Sequence, residues 1–157
     1  MDLKQHSIPV PITILLAEDD VDDRFFFTKA LAEIPIATNL TTVQDGELLM
    51  MYLSENAHKL PNVLFLDLSM PRKTGFECLS EIKENDKYKD LIVVMFSTSY
   101  TRDITYEQDM INMLYDIGAH LYIRKPSDFT KLKQVIQDVL IMVLEKKLPV
   151  SKTGSFD

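Results

Sequence analysis

The sequence has few of the residues that build disulfides, zinc sites and glycine-rich phosphate loops. Its 157 residues include one cysteine (Cys78), three histidines and four glycines. A single cysteine excludes a disulfide framework and a zinc site of several thiolates. The glycines lie too far apart for the loops that bind dinucleotides or nucleoside triphosphates, and the histidines lack the spacing of a zinc protease.

The chain also lacks positive charge and long apolar runs. It has 17 Lys and Arg against 24 Asp and Glu, a net charge of −7. This balance argues against nucleic acid or an anionic membrane as the main partner, since both require a basic surface. No segment approaches the roughly 20 apolar residues of a membrane span, and the N-terminus has no secretion signal. We expect a single domain in a reducing cytoplasm.

Apolar segments alternate with segments of helical periodicity along the chain. The apolar segments predicted to be strands are residues 12–17, 39–43, 63–66, 92–96 and 121–123. Each is followed by a predicted helix, and the last helix, about residues 128–146, has the clearest periodicity. The pattern predicts an α/β fold with a parallel sheet and right-handed crossovers. We expect an N-terminal extension over residues 1–11, one domain over 12–147 and a flexible tail over 148–157.

Reactive side chains follow the ends of four of the predicted strands. Strand one is followed by Glu18 and Asp19, strand three by Asp67 and strand five by Lys125, and Ser97 follows strand four. The carboxyl ends of parallel strands share one edge of a sheet, where such folds hold their sites. Grouped carboxylates require a cation, and oxygen ligands suit Mg²⁺. With a lysine and a hydroxyl beside them, they form a set suited to a phosphoryl group.

A simpler interpretation exists for some of these acidic residues. Asp20, Asp22 and Asp23 stand at the start of a predicted helix, where carboxylates cap free N–H groups and complement the helix dipole. A lone serine or Lys-Pro pair also occurs in ordinary loops. The functional interpretation depends on the complementary set as a whole.

Several motifs resemble the receiver domain of bacterial two-component response regulators. The matching segments are ILLAEDD (14–20), LDLSMP (66–71) with Gly75, MFST (95–98), Gly118-Ala119 and YIRKP (122–126). The resemblance covers about residues 12–144. It implies a flavodoxin-like, doubly wound sheet of five parallel strands in the order 2-1-3-4-5, with five helices.

The resemblance also implies a role for each residue of the strand-end set. Asp67 would be the phosphate acceptor and Lys125 would contact the phosphoryl group. Asp19 would bind Mg²⁺ directly, Glu18 through water, and Ser69 through its backbone carbonyl. Asp67, as the acceptor, would also be a metal ligand.

The resemblance further implies a conformational switch and a cis peptide bond. Ser97 would be the switch hydroxyl and Tyr122 the switch aromatic. Phosphorylation would draw Ser97 to the phosphoryl group and turn Tyr122 inward, which changes the surface of helix four, strand five and helix five. The Lys125–Pro126 bond would be cis, as is usual in the family.

The implied function is that of a single-domain response regulator. It would take a phosphoryl group from a histidine kinase or histidine phosphotransfer protein and signal to a downstream protein target, because no output domain follows the receiver. It would not be an enzyme on external substrates, and would catalyse only its own phosphorylation and dephosphorylation. Its motifs resemble the small regulators that partner phytochrome-class histidine kinases.

Other functions stay open from the sequence. The protein could act as a phosphate relay or sink, or as a receiver that binds partners without phosphorylation, although the intact site residues argue against the latter. A Mg²⁺-dependent aspartyl-phosphate phosphatase would also use a strand-end aspartate. Such phosphatases of the haloacid dehalogenase type place a second aspartate where this chain has Ser69, and usually need a cap domain.

Three features depart from the simplest receiver. Phe25 and Phe26 cannot share the core face with Phe27, so one of them is predicted to be exposed and to contact the kinase, or else to pack under a loop. The segment over residues 99–117 is several residues longer than expected. The last helix carries extra apolar residues near its end, which suggests a homodimer through helices four and five, or a broader core contact.

Overall fold

Strands and helices alternate through the described part of the chain. The computed structural model describes residues 10–98 and 104–146. The strands are β1 (Ile12–Ala17), β2 (Thr38–Val43), β3 (Val63–Leu66), β4 (Ile92–Ser97) and β5 (Leu121–Arg124). The helices are α1 (Val21–Glu33), α2 (Gly46–Glu55), α3 (Gly75–Glu84), α4 (Ile104–Ile117) and α5 (Phe129–Glu145). Every predicted element is present, with ends shifted by one or two residues.

The strands form one parallel sheet in the order β2-β1-β3-β4-β5. This confirms the predicted α/β class and the flavodoxin-like order. The strand β3 lies at the centre, and its four residues are all buried. The continuous apolar sequence of β3 follows from this position, because a parallel strand between two neighbours is covered by helices on both faces.

The sheet has a hydrophobic core on each face. Alternate residues of a strand point to opposite faces, so Leu15 joins one core and Ile14 the other. The helices α2, α3 and α4 contribute to the first core, and α1 and α5 to the second. The sheet therefore lies between two hydrophobic cores, each covered by helices.

An aromatic cluster fixes α1 against the sheet. The ring of Phe27 lies 5.0 Å from that of Phe65 in β3 and 6.1 Å from that of Phe96 in β4, both in edge-to-face arrangements. Such pairs add stabilisation beyond the apolar area that they bury. The cluster holds the N-terminal end of α1, which begins just after Glu18 and Asp19, in a defined position beside the strand ends.

One expectation about the backbone is wrong, and three others stay predictions. The cis bond expected at Lys125–Pro126 is wrong, because the described residues contain no cis peptide bond. The trans form is the intrinsically favoured isomer before proline. The longer segment over 99–117 stays a prediction, because residues 99–103 lie outside the described residues. The same holds for the predicted extension and tail, most of whose residues lie outside them too.

No helix within residues 10–98 and 104–146 has both the length and the apolar character needed to cross a lipid bilayer.

Candidate functional site

The strand register brings the predicted acidic residues together. Ala17, the last residue of β1, pairs with Leu66, the last residue of β3. Glu18 and Asp67 follow directly, so the two carboxylates leave the sheet at the same level. The backbone N–H of Asp67 donates to the carbonyl of Ala17 at 3.0 Å, which continues the parallel ladder up to the site.

Carboxylate oxygens of Glu18, Asp19 and Asp67 lie within 4.8 Å of one another. Glu18 and Asp67 are 2% and 6% exposed, whereas Asp19 is open to solvent. Three oxygen donors of this kind, with one side open to water, fit Mg²⁺, which takes few protein carboxylates and keeps several waters. The donor set therefore suits a hard divalent cation, as the sequence predicted.

Burial makes the acidic pair costly to ionise. It raises the pKa of Glu18 to about 7, although the hydrogen bond from Lys125 acts in the opposite direction. It also raises the pKa of Asp67, against the charge of Lys125. These directions are expected for carboxylates that lose water and face each other. A divalent cation would offset the same penalty.

Lys125 contacts three carboxylates of this site. Its Nζ donates to Glu18 Oε1 and to Asp23 Oδ2, the latter at 3.0 Å, and it lies 3.7 Å from Asp67 Oδ1. Burial disfavours the charged ammonium, but the hydrogen bond with Glu18 and the charge of Asp67 outweigh it, so the pKa of Lys125 is raised. Lys125 is therefore a fixed positive charge beside Asp67.

Asp23 is the site residue that sequence reasoning missed. Helix capping was the simpler interpretation for Asp20, Asp22 and Asp23. Asp20 does cap α1, because its side chain accepts from the backbone N–H of Asp23 at 2.9 Å. The carboxylate of Asp23 instead pairs with Lys125. No local pattern shows this contact, since it joins residues 102 positions apart.

The two predicted switch residues are both buried. Ser97 is 3% exposed, and its hydroxyl donates to the carbonyl of Thr98 at 3.3 Å. Tyr122 is 6% exposed, so its ring already lies inside the protein. The Tyr122 backbone N–H donates to the hydroxyl of Tyr115 in α4 at 2.9 Å. Both residues line a cavity of about 270 Å³ beneath α4.

Glu107 is a second residue that the sequence did not indicate, and unlike Asp23 it is buried. It lies in α4, is 7% exposed, lines the same cavity and forms an ion pair with Arg124, the last residue of β5. This pair joins α4 to β5 next to Lys125. The charge of Glu107 adds to the effect of burial in raising the pKa of Tyr122.

Ser69 lies on the loop between β3 and α3. Its backbone N–H acts on the Asp67 carboxylate to lower the pKa of that group, against the larger effect of burial. The loop is held to the start of α2 by an ion pair of 3.3 Å between Arg72 and Asp45. The role of the Ser69 carbonyl as a metal ligand remains a prediction, but the residue does lie beside the Asp67 carboxylate.

Phe25 and Phe26 lie on the surface of α1. They are 60% and 45% exposed, and their rings contact each other edge to face at 5.5 Å. Phe26 also lines a cleft of about 240 Å³ that Lys125 and Phe129 border. The structure thus places an exposed aromatic pair near the acidic site, and its contact with a kinase stays a prediction.

Sequence comparison with known proteins matches this chain to a protein family and to a curated relative. The family model described as "Response regulator receiver domain" matches residues 14–137. Response regulator Rcp1 of a Synechocystis strain is 32% identical over 140 residues, which cover 86% of this chain and 90% of that protein.

Solved structures show the same likeness. The phosphorylated cyanobacterial phytochrome response regulator RcpA superposes with a TM-score of 0.75 at 32% identity, over 89% of this chain and 99% of that one. The Mn²⁺-bound form of Rcp1 gives a TM-score of 0.73 at 30% identity, over 89% of this chain and 100% of that one.

Proposed function

Because the chain belongs to the response regulator receiver domain family of two-component signalling, we propose that Asp67 is the residue that accepts the phosphoryl group. The observation that carries this assignment is the position of its carboxylate. It lies in the cluster with Glu18 and Asp19 and 3.7 Å from the ammonium of Lys125. A phosphoryl group on Asp67 would therefore lie between a metal site and a fixed positive charge.

Glu18, Asp19 and Asp67 would hold the divalent cation, which we take to be Mg²⁺, together with the Ser69 carbonyl. The bound cation would supply positive charge to the phosphoryl oxygens. A structure of the relative Rcp1 is a Mn²⁺-bound form, which supports a cation at this cluster. The exposure of Asp19 leaves one side of the cluster open for water and for the phosphodonor.

The chemistry follows from this arrangement. A carboxylate oxygen of Asp67 attacks the phosphorus of a phosphohistidine on a histidine kinase or phosphotransfer protein. The new O–P bond replaces the P–N bond, and the imidazole leaves. Lys125 stabilises the charge on the phosphoryl oxygens during transfer. Water later hydrolyses the aspartyl phosphate to Asp67 and inorganic phosphate, so the protein catalyses only its own modification.

Ser97 and Tyr122 would transmit the modification to the surface. In this structure the Ser97 hydroxyl is engaged with the Thr98 carbonyl, 3.3 Å away. A phosphoryl group on Asp67 offers a stronger, charged acceptor. Movement of Ser97 toward it would alter the cavity that Tyr122 and Glu107 line, and with it the contact of α4 with β5.

The partners of this protein would be other proteins. We assign kinase docking to the exposed Phe25 and Phe26, and signalling to a downstream protein to the surface of α4, β5 and α5. Homodimerisation through α4 and α5 is a further use of that surface, since Ile141 and Leu144 of α5 are 36% and 55% exposed. The relative RcpA is described as a phytochrome response regulator, which favours a kinase of that class as the donor.

The test is phosphorylation by a small acyl phosphate. The wild-type chain, incubated with Mg²⁺ and acetyl phosphate, should gain the mass of one phosphoryl group. The gain should be lost in Asp67→Asn and when the metal is chelated, and should persist in Asp22→Asn as a charge-matched control. If neither acetyl phosphate nor any cognate kinase labels the wild-type protein, the proposed function is wrong.

A further inference from the structure

Lys125 is held more closely by Asp23 than by the proposed acceptor. Its Nζ lies 3.0 Å from Asp23 Oδ2 but 3.7 Å from Asp67 Oδ1. The first distance is that of a charge-assisted hydrogen bond, and the second exceeds hydrogen-bond length. The ammonium of Lys125 therefore forms a hydrogen bond with Asp23, on the α1 side of the site, and none with Asp67.

Asp23 differs from the other carboxylates that contact Lys125. Glu18 and Asp67 both belong to the cluster that suits a metal ion, whereas Asp23 does not. A metal ion bound at that cluster would neutralise part of the charge of Glu18 and Asp67, and so weaken their attraction for the ammonium of Lys125. Asp23 would keep its contact with Lys125 whether or not the metal is present.

The backbone around Asp23 gives this anchor a fixed position. Asp23 lies in the first turn of α1, and its N–H donates to the capping side chain of Asp20 at 2.9 Å. The same helix is held to the sheet by the Phe27 cluster. The backbone of Asp23 is therefore held in a defined position relative to the strand ends and Lys125.

A lysine needs such an anchor to stabilise a transition state effectively. Its four-carbon stem is flexible, and holding it in one place costs conformational entropy. An ammonium that is already in place when the phosphoryl group arrives stabilises developing charge without that cost. An ammonium that could move into direct contact with the unphosphorylated carboxylate of Asp67 would instead stabilise the state before phosphoryl transfer.

We propose that Asp23 is a positioning residue for phosphoryl transfer, which fixes the ammonium of Lys125 where the oxygens of a phosphoryl group on Asp67 can reach it. This inference rests on the proposed role of Asp67. Because Lys125 would contact the same oxygens during attachment and during hydrolysis, Asp23 affects both steps in the same direction.

The experiment compares three variants with the wild type. Asp23→Asn keeps the side-chain size and removes the charge. Asp23→Glu keeps a carboxylate that can reach Nζ, and Asp22→Asn removes the neighbouring exposed charge of the same helix turn. Phosphorylation is followed at saturating acetyl phosphate and Mg²⁺, hydrolysis after removal of the donor, and Mg²⁺ affinity is measured separately by calorimetry without any phosphodonor.

We expect Asp23→Asn to slow both phosphorylation and hydrolysis by about three- to tenfold at saturation. The KM for acetyl phosphate and the Mg²⁺ affinity should change by less than about twofold, because Asp23 contacts neither. Asp23→Glu should recover most of both rates, and Asp22→Asn should match the wild type.

Other outcomes would overturn the proposal. Equal rates in Asp23→Asn and Asp22→Asn would leave Asp23 without a positioning role. Faster phosphorylation in Asp23→Asn would mean that Asp23 restrains Lys125 rather than placing it. If Asp23→Glu did not recover the two rates, the role of Asp23 would be structural and not one of positioning Lys125. If the wild type itself is not labelled, the role of Asp67 fails first, and the two failures are thereby distinguished.

Discussion

Gly75 packs against the backbone of Asp67 so closely that a β-carbon on Gly75 would lie 2.1 Å from the Asp67 carbonyl oxygen. The Gly75 N–H also donates to the carbonyl of Leu68 at 2.9 Å, which closes the loop between β3 and α3. The nearby atoms belong to the main chain, so no side chain can turn away to make room. Gly75 therefore fixes the backbone that carries the proposed acceptor.

Gly75→Ala should accordingly disturb both stability and phosphorylation. The forced shift of the Asp67 backbone should lower the free energy of unfolding by about 1–3 kcal/mol, as overpacking does in other proteins. The rate of labelling by acetyl phosphate should fall as well. Urea denaturation and intact mass measure the two effects. A variant with wild-type stability and labelling rate would show that the loop relaxes freely around Asp67.

Asp67→Asn should stabilise the protein when no divalent cation is present. Burial raises the pKa of Asp67 above its ordinary value of 3.8. For a carboxyl group shifted in this direction, stability is present at low pH and is lost as pH rises through the folded-state pKa. At pH 8 the neutral asparagine removes this penalty, and we expect a gain of roughly 1 kcal/mol in urea denaturation.

Two further measurements check this stability prediction. Added Mg²⁺ should stabilise the wild type more than Asp67→Asn and so reduce the difference between them. Asp22→Asn, which removes an exposed carboxylate near the same site, should show no comparable gain. Loss of stability in Asp67→Asn would mean that the ion pair with Lys125 outweighs the cost of burial.

Ser97→Ala should separate phosphorylation from its conformational effect. The variant keeps Asp67, Lys125 and the acidic cluster, so acetyl phosphate should still label it. Without a hydroxyl to move toward the phosphoryl group, the amide chemical-shift changes in α4 and β5 should be much smaller than in the wild type. Ser97→Thr should retain them, and shifts of undiminished size in Ser97→Ala would contradict the switch role.

His120 should make the protein sensitive to acid. Burial, with a contribution from the charge of Lys83, lowers the pKa of His120 to about 4. The ring Nδ1 accepts from the backbone N–H of Val93 at 3.3 Å, and protonation of that nitrogen would remove the acceptor. Between about pH 6.5 and 4 the unfolded chain binds the proton and the folded chain does not, so stability falls as pH falls.

The matched test uses an asparagine, whose oxygen can replace Nδ1 as the acceptor. His120→Asn should lose about 1–2 kcal/mol less stability than the wild type between pH 6.5 and 4, allowing for the partial exposure of the ring. The exposed His58 provides the control variant, His58→Asn. If wild type and His120→Asn lose stability in parallel, another group accounts for the acid sensitivity.

The sequence predicted the site at the strand ends because parallel strands end at a common edge. A parallel sheet puts Glu18, Asp67 and Lys125 at one edge, and the strand order implied by the resemblance brings them near one another. The strand-end positions of these residues could therefore be predicted from the sequence pattern and the resemblance.

The sequence pattern could not predict contacts that depend on how a helix packs against the sheet. The pairing of Asp23 with Lys125 requires the rotation of α1 on the sheet, which the Phe27 cluster determines. The burial of Glu107 depends on how α4 lies over β5. The isomer of the Lys125–Pro126 bond was inferred from the family, and the chain adopts the intrinsically favoured trans form.

The most direct test of the central assignment is chemical identification of the phosphorylated residue. The protein, phosphorylated with acetyl phosphate and Mg²⁺, is reduced with borohydride, which converts an aspartyl phosphate into homoserine, and is then digested for peptide mass spectrometry. We predict homoserine at position 67 and at no other aspartate. Homoserine at Asp19 or Asp23, or an acid-stable phosphate on a hydroxyl side chain, would contradict the assignment of Asp67 as the acceptor.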